Sequence, residues 1–264
     1  MTGVVVTGAA GAQGRAIARA FAEAGYAVTV LGRSGGEGVR TVEMGDADAL
    51  ARALDGVEVL AFTSPIDHRS GEREALAERF ARAAARAGVR RIVVNTAAAV
   101  PAGLRRPVAE TLRRVRAAFM DGPVPCAVVE PIVYMDNLLQ PWALEAITVG
   151  VLPYPARRHA RISWLSHASL GAFAVAAAGQ TVPGGRVFEI GGPEALTGDE
   201  LAQRLGAAIG EPVRYEELPL ASFAAAINAA MSPPAGDDIA DYYRHLFNDP
   251  DALARDGAAA TVLG

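Results

Sequence analysis

Short apolar runs rich in valine and isoleucine alternate along the first half of the chain with alanine-rich segments whose apolar residues recur at helical spacing. The predicted strands are GVVVTG, YAVTVLG, VEVLAFTSP, RRIVVNTA and CAVVEP, which begin at residues 3, 26, 57, 90 and 126. The predicted helices between them cover residues 14–24, 47–56, 72–87 and 108–120. This alternation predicts an α/β fold, a doubly wound parallel sheet of Rossmann type with helices on both faces.

The alternation is weaker in the second half of the chain. We predict a helix there from Asp136 to about Thr148, and a strand at RVFEIGG, which begins at residue 186. A further helix is expected from residue 198, because Thr197 and Glu200 have the spacing of a capping box.

These two patterns divide the chain into two predicted units. Residues 1–131 are expected to form a nucleotide-binding domain, completed by the strand at about 186–191. Residues 132–185 and 192–264 are expected to form a smaller, mainly helical lobe that binds the substrate. With 264 residues, of which 51% are hydrophobic, the chain is long enough to bury a core for both units.

Composition excludes several classes of function. No apolar run approaches the roughly 18 residues of a membrane span, and the chain enters its first strand at once, so we expect a cytoplasmic protein without a membrane partner. The net charge of −4 disfavours a nucleic-acid partner. Four scattered histidines and the single Cys126 lack metal-ligand spacing, so no metal site is predicted. A monomer or a homodimer is expected.

A glycine pattern follows the first predicted strand. In GAAGAQG, Gly8, Gly11 and Gly14 lie three residues apart, between that strand and a helix with Ile17 and Phe21 on one face. Glycines at these places allow a tight turn, the approach of a pyrophosphate and close packing of helix on strand. The amides at the helix N-terminus would then face the phosphates. The pattern therefore predicts a dinucleotide-binding turn.

The end of the second predicted strand indicates which dinucleotide is bound. An NAD site places an acid there for the ribose hydroxyls, whereas this chain has Arg33 and Ser34, with no acid before Glu37. An arginine can bind a 2′-phosphate through several donors and can stack on adenine. The sequence therefore favours NADP(H) over NAD(H), although a merely solvated arginine would give the same pattern.

Taken with the glycine pattern, three longer segments resemble one known family. They are GDADALARALDGVEVLAFTSP from residue 45, VVEPIVYMDNLL from residue 128, and RVFEIGGPEALTGDELAQRLGAAIGEPVRYEELP from residue 186. Together they resemble the NmrA-like branch of the atypical short-chain dehydrogenases, and within it the NAD(P)H:quinone oxidoreductases of the triphenylmethane-reductase type. The resemblance covers nearly the whole chain. It implies an NAD(P)H-dependent oxidoreductase acting on an aromatic or conjugated small molecule.

The resemblance also implies roles for particular residues. Contacts with the pyrophosphate are implied for Gly8, Gly11, Ala12, Gln13 and Gly14. Arg33, with Ser34, would bind the 2′-phosphate, and Asp46 would lie near the adenine. On the nicotinamide side the implied residues are Phe62, Thr63 and Ser64, together with Asn95 and Thr96 at the end of the predicted strand RRIVVNTA. Tyr134 and Asn137 would line the substrate pocket and orient the acceptor.

The chain departs from the wider superfamily in its proton chemistry. A typical member uses a tyrosine four residues before a lysine as a proton relay. This chain contains no lysine, and it has no tyrosine between Tyr26 and Tyr134. Arg116 occupies the position where many relatives have a lysine, and a guanidinium stays protonated near neutral pH. We therefore predict hydride transfer to a conjugated acceptor without a tyrosine–lysine relay, because such an acceptor delocalises the added charge.

Several other residues have two open interpretations. His68 could face the nicotinamide or simply be a solvated loop residue, and a hinge or packing role is expected for His159 and His167. The aromatic residues Tyr134, Trp142, Tyr154 and Trp164 could line a pocket or fill the core. Two other functions also stay open: a protein that senses NADP(H) without turnover, and a reductase or isomerase in natural-product biosynthesis.

Overall fold

The computed structural model describes residues 1–35, 38–65, 71–100, 103–105, 107–179, 185–231, 233–247 and 249–255. Its strands in chain order are β1 Gly3–Thr7, β2 Ala27–Gly32, β3 Val39–Thr41, β4 Val59–Thr63, β5 Arg91–Asn95, β6 Cys126–Pro131, β7 Val133–Tyr134, β8 Val151–Tyr154, β9 Trp164–Leu165, β10 Arg186–Ile190 and β11 Arg214–Glu217. The α-helices are α1 Ala12–Glu23, α2 Ala47–Ala53, α3 Glu72–Arg86, α4 Pro107–Met120, α5 Pro141–Thr148, α6 His167–Gly179, α7 Gly198–Ile209, α8 Leu220–Met231 and α9 Ala235–Leu246.

Seven of these strands form one parallel sheet in the order β10-β6-β5-β4-β1-β2-β3. The chain reverses its direction of growth at β1, so the crevice beside β1 and β4 is the usual ligand site of such a sheet. Because every strand is parallel, all the turns that follow the carboxyl ends lie along one edge. The predicted doubly wound α/β fold is confirmed.

Helices cover both faces of the sheet. On one face α2, α3 and α4 bury Leu50, Phe80 and Phe119 against it. On the other face α1 and α6 bury Phe21 and Leu170. With both faces covered, β1 and β4 are apolar except for the threonine that ends each strand, as expected for a buried parallel sheet.

The helix α6 lies closer to the nucleotide-binding half than the sequence predicted. Residues 132–185 were all assigned to the smaller lobe, yet α6 packs on the sheet and against α1. A side chain at Gly171 would lie 2.7 Å from the carbonyl oxygen of Ala16, so only glycine allows the two helices to approach this closely. This contact fixes α1 beside α6 on the same face of the sheet.

The smaller lobe has its own core, formed by α5, α7, α9 and the short sheets β11-β8 and β7-β9. The capping box at Thr197 is confirmed. The single helix predicted over residues 136–148 is instead a 3-10 helix, Met135–Leu139, followed by α5. Pro141 explains the break, because proline has no N–H to continue a helix but fits the first position of a new one.

Candidate active site

The turn between β1 and α1 is shaped by its glycines. Gly8 has a φ of +75°, and its carbonyl oxygen accepts a hydrogen bond from the Gly11 amide at 2.9 Å. A Cβ atom on Gly14 would lie 2.4 Å from the carbonyl carbon of Gly8, which no real side chain tolerates. The helix therefore begins directly against the turn, and its first amides point to the sheet edge.

The N-terminus of α1 differs chemically from those of α2 and α7. Gly11 provides no side-chain cap, and the first turn contains no acid. By contrast, α2 is capped by the Asp46 carboxylate, and α7 by Thr197 and Glu200. An uncapped helix N-terminus carries unsatisfied N–H groups and a partial positive charge. The cradle at residues 11–14 therefore fits a dinucleotide pyrophosphate.

Asp46 has a structural role in this arrangement. Its carboxylate accepts hydrogen bonds from the amides of Asp48 at 2.8 Å and Ala49 at 3.0 Å. These backbone hydrogen bonds, first that of Ala49, hold the pKa of Asp46 below its ordinary value. The predicted contact with adenine thus involves a side chain that already caps a helix. Arg33 and Ser34 directly follow β2 and are both exposed at the sheet edge.

The structure at the end of β4 differs from the expectation that the Phe62 side chain lies on the nicotinamide side. The Phe62 ring lies between Phe80 and Phe119, with ring centroids 5.4 and 4.9 Å away, so its side chain faces the core and cannot contact a nicotinamide. Only the backbone of residue 62 can do so. The Thr63 side chain borders Gly8 through its Cβ and methyl group, and its buried hydroxyl has no hydrogen-bond partner in the part of the chain that the structure describes.

The end of β5 is tied to the glycine turn. The Asn95 amide donates a hydrogen bond to the side-chain oxygen of Gln13 at 2.8 Å, and its own oxygen accepts from the Ala97 amide at 3.0 Å. The Thr96 hydroxyl lies 2.8 Å from the carbonyl oxygen of Ala98 and is occupied by the backbone. Asn95 and Gln13 therefore fix the distance between the predicted cofactor cradle and the loop after β5.

That loop, residues 96–100, is held by a buried ion pair that the sequence did not reveal. Glu130 on β6 is almost fully buried, and it accepts a hydrogen bond from the Val100 amide at 3.3 Å and one from Arg116 at 3.0 Å. Burial raises the pKa of Glu130, while the Arg116 charge opposes the rise. Arg116 is thus held by Glu130. It takes the sequence position predicted for the relay lysine, but a guanidinium cannot release a proton near neutral pH.

A cavity of about 250 Å³ begins at the cradle and extends between the sheet edge and the smaller lobe. Three stretches of chain form most of its wall: the loop after β5 with the start of α4, the segment after β6, and α9. The lining residues are Gln13, Arg73, Thr96, Ala97, Ala98, Ala99, Leu104, Val108, Ala109, Leu112, Ile132, Val133, Tyr134, Asn137, Asp238, Ile239, Tyr242 and Tyr243. The volume suits a small organic molecule.

Tyr134 and Asn137 line this cavity, as the sequence predicted for the substrate pocket. The Tyr134 side chain is buried, and its hydroxyl lies near the Asn95 side chain without forming a well-directed hydrogen bond to any described residue. Burial raises the pKa of Tyr134 well above its ordinary value, so the phenol keeps its proton at neutral pH and can donate a hydrogen bond. Leaving such a group unsatisfied costs about 1–3 kcal/mol, which a ligand oxygen could recover.

His167 has a more specific place than the expected hinge or packing role. Its Nδ1 lies 3.0 Å from an oxygen of Asp136, and its backbone N–H donates to the other oxygen at 2.8 Å. The imidazole also packs on the Tyr134 ring, with centroids 4.6 Å apart. Burial lowers the pKa of His167, which Asp136 opposes. The pair joins the start of α6 to the segment that carries Tyr134 and Asn137.

The remaining candidates lie elsewhere. Tyr154 and Trp164 pack edge to face in the core of the smaller lobe and do not line the cavity, and Trp142 packs against the same core. His159 is exposed, and His68 lies outside the described residues. Within the described ranges no cluster of three or more metal-ligating side chains occurs. Nor does any described helix have the length and apolarity to cross a membrane.

Residues 2–252 match the sequence profile of the NmrA-like family. The chain is 35% identical over 273 positions to the (4-alkanoyl-5-oxo-2,5-dihydrofuran-3-yl)methyl phosphate reductase of Streptomyces griseus subsp. griseus, an alignment that covers 98% of this chain and 90% of that protein. It is 29% identical over 229 positions to quinone oxidoreductase 2 of Escherichia coli, covering 82% and 76%. The NADP(H) complex of Citrobacter sp. triphenylmethane reductase shares the fold, with a TM-score of 0.79 at 18% identity and coverage of 100% and 95%.

Proposed function

Because the chain belongs to the NmrA-like family, we propose that it is an NAD(P)H-dependent oxidoreductase that transfers hydride to a quinone or another conjugated small molecule. The observation that carries the proposal is the cavity, which begins at Gln13 in the cradle. A flat acceptor bound there lies next to the place where the uncapped end of α1 receives a dinucleotide. Reductase names among the relatives support the same class of reaction.

The cofactor we propose is NADP(H), held mainly by the first unit of the chain. The backbone at Gly11, Ala12, Gln13 and Gly14 would bind the pyrophosphate, and Arg33 with Ser34 the 2′-phosphate. Thr63, Ser64, Asn95 and Thr96 would line the nicotinamide side, largely through backbone atoms. When bound, the reduced cofactor supplies a hydride. The proposed cofactor-binding unit comprises residues 1–131 and the strand at about 186–191, with α6 packed on its sheet. The proposed location of the protein is the cytoplasm.

The chain's own residues orient the acceptor. The protonated phenol of Tyr134 can donate to one acceptor oxygen, and Asn137 can bind a second polar group. Among the described residues, neither side chain forms a hydrogen bond to a basic group that would reload a proton, so we propose that the final protonation of a delocalised product comes from water. Bringing the reactants together in a fixed orientation supplies much of the rate in this arrangement.

A biosynthetic reductase is the second candidate, and the Streptomyces griseus relative is the observation that favours it. That protein is named for a conjugated oxo-dihydrofuran bearing a phosphate. Both candidates share the hydride transfer and differ in the acceptor. A panel that contains quinones and unsaturated lactones separates them by their kcat/KM values.

Turnover itself is tested with Tyr134→Phe. We expect wild type to oxidise NADPH with members of the panel, and the variant to lose only about two- to tenfold in rate, since one hydrogen bond contributes about 0.5–1.5 kcal/mol. Loss of an essential acid would cost roughly 100- to 10,000-fold. Single-turnover absorbance of the nicotinamide provides the measurement. A thousandfold loss would contradict the mechanism without a relay, and an inert wild type that binds NADPH would indicate a sensor.

Cofactor preference is tested with Arg33→Ala. We expect the ratio of the NADH to NADPH dissociation constants to fall about 10- to 100-fold, because a charge-assisted contact contributes about 1.5–3 kcal/mol. Arg19→Ala is the matched control, since it removes an equally exposed charge that pairs with Glu23 on α1. Titrations of both nucleotides against the three proteins give the ratios. An unchanged preference in Arg33→Ala would assign the 2′-phosphate to another residue.

A further inference from the structure

The wall of the cavity is divided into a polar part and an aliphatic part. The polar groups lie at the sheet edge, where Gln13 is bonded to Asn95 and where Tyr134 and Asn137 follow β6. Arg73, whose guanidinium donates to Ser64 at the end of β4, belongs to the same part. Away from this edge the wall comes from α4, the loop before it and α9.

The aliphatic part is a coherent cluster. Leu104, Ala109 and Leu112 are buried and pack together with Val100, and Ala98 and Tyr242 pack against them. Ile239 extends the same wall from α9, where the half-buried Asp238 is the only charged lining residue that the structure describes on this side. The aromatic side chains that line this part of the described cavity are Tyr242 and Tyr243 of α9, and Tyr242 packs against the aliphatic cluster.

This division matches one shape of ligand. A flat conjugated head needs hydrogen bonds and a place beside the nicotinamide, which the polar part provides. An alkyl chain needs a water-free aliphatic wall, and each buried methylene then improves binding about fourfold.

We propose that the acceptor of this protein carries a linear aliphatic tail on its conjugated head. The aliphatic part of the cavity wall, to which Val108 of α4 also belongs, binds this tail. The inference rests on the proposed function, since it names the class of acceptor for the same cavity. The wall acts on affinity and on kcat/KM through the tail, not on the hydride transfer itself.

The test uses 2-alkyl-1,4-benzoquinones with methyl, propyl, pentyl and heptyl chains. We expect kcat/KM to rise about fourfold per methylene, which is about 250-fold from methyl to pentyl, and then to level off as the cavity fills. A flat series, with turnover of every member, would overturn the tail inference and leave the proposed reaction standing.

Substitutions in the aliphatic part of the wall test whether the dependence of kcat/KM on chain length arises there. Ala98→Leu fills the aliphatic part and should lower the pentyl-to-methyl ratio of kcat/KM at least tenfold. Val108→Phe, at a half-buried position, gives the same test if the first variant folds poorly. Ala85→Leu is the matched control, because Ala85 on α3 is half-buried and does not line the cavity. Equal ratios in all three variants and wild type would contradict the inference.

A binding experiment keeps the two proposals distinguishable. Dissociation constants of 2-alkylhydroquinones for the NADP⁺-loaded protein are measured by calorimetry, which needs no turnover. Affinity that rises with chain length, without reduction of any quinone, would support the tail site and reject the proposed reaction. Affinity independent of chain length would reject the tail site.

Discussion

Gly14→Ala is expected to abolish NADPH binding and to destabilise the fold. The added methyl group would lie 2.4 Å from the carbonyl carbon and oxygen of Gly8 and 2.6 Å from the amide nitrogen of Ala9, all of them backbone atoms. The turn must therefore move, which costs about 3 kcal/mol or more in unfolding free energy. NADPH fluorescence titration and urea unfolding measure the two effects. Wild-type affinity in Gly14→Ala would show that this turn does not hold the dinucleotide.

Gly11→Ala separates binding from folding. A methyl group on Gly11 would meet only the Gly8 carbonyl oxygen, at 3.4 Å, and Gly11 is exposed. We expect the unfolding free energy to change by less than about 0.5 kcal/mol. The NADPH affinity should nevertheless fall at least about tenfold, because the methyl group occupies the space of the pyrophosphate. Undiminished affinity in this well-folded variant would place the phosphates elsewhere.

Arg116→Met is expected to be the most destabilising charge removal outside the cradle. It leaves the buried Glu130 without its partner, and breaking a buried pair costs about 3–5 kcal/mol. Because about a third of the Arg116 side chain is exposed (31%), we expect a value near the lower end, about 3 kcal/mol. The loop after β5 should loosen with it, since Glu130 also holds the Val100 amide. Urea unfolding measures the loss.

The loss of unfolding free energy in Arg116→Met should increase as the pH rises. The pKa of Glu130 is already raised by burial, and removal of the Arg116 charge raises it further. A carboxyl group whose pKa is higher in the folded than in the unfolded state stabilises the fold when protonated, and this stabilisation disappears as the pH rises through the folded-state pKa. The difference in unfolding free energy between wild type and Arg116→Met should thus be larger at about pH 8 than at about pH 5.

A second substitution checks the cause. Glu130→Gln in the Arg116→Met background keeps an oxygen for the Val100 amide and removes the charge, so it should restore most of the lost stability and abolish the pH dependence. A deficit that persists in the double variant, or that does not change with pH, would show that Arg116 acts through packing.

Local patterns in the sequence were sufficient for much of the fold. The glycines at 8, 11 and 14 and the capping box at Thr197 each depend on neighbours within a few residues, so spacing alone identified them. The direction of Phe62 was not predictable in the same way. All five residues of β4 are buried, because helices cover both faces of the sheet, and the strand shows no alternation that would indicate a face.

The contacts that complete the site join distant parts of the chain. Asp136 and His167 are 31 residues apart, and Glu130 lies inside an apolar strand that gave no indication of a buried acid. The strain in the cavity loop was equally hidden, since Ala97 adopts a φ of +68° that alanine rarely takes. Such features arise from tertiary packing, which overrides the preferences of single residues.

The cavity wall has a consequence for how acceptor preference can change during evolution. The cradle is complete by residue 14, whereas most of the described wall comes from three segments that contribute no backbone to the cradle: the described part of the loop after β5 with α4, residues 132–137, and residues 238–243. Substitutions in the wall can therefore accumulate while the nucleotide turn is kept under purifying selection. Relatives can thus differ in their acceptors while they all use the same nicotinamide cofactor. Exchange of these three segments together between two relatives should therefore transfer the acceptor preference of one to the other.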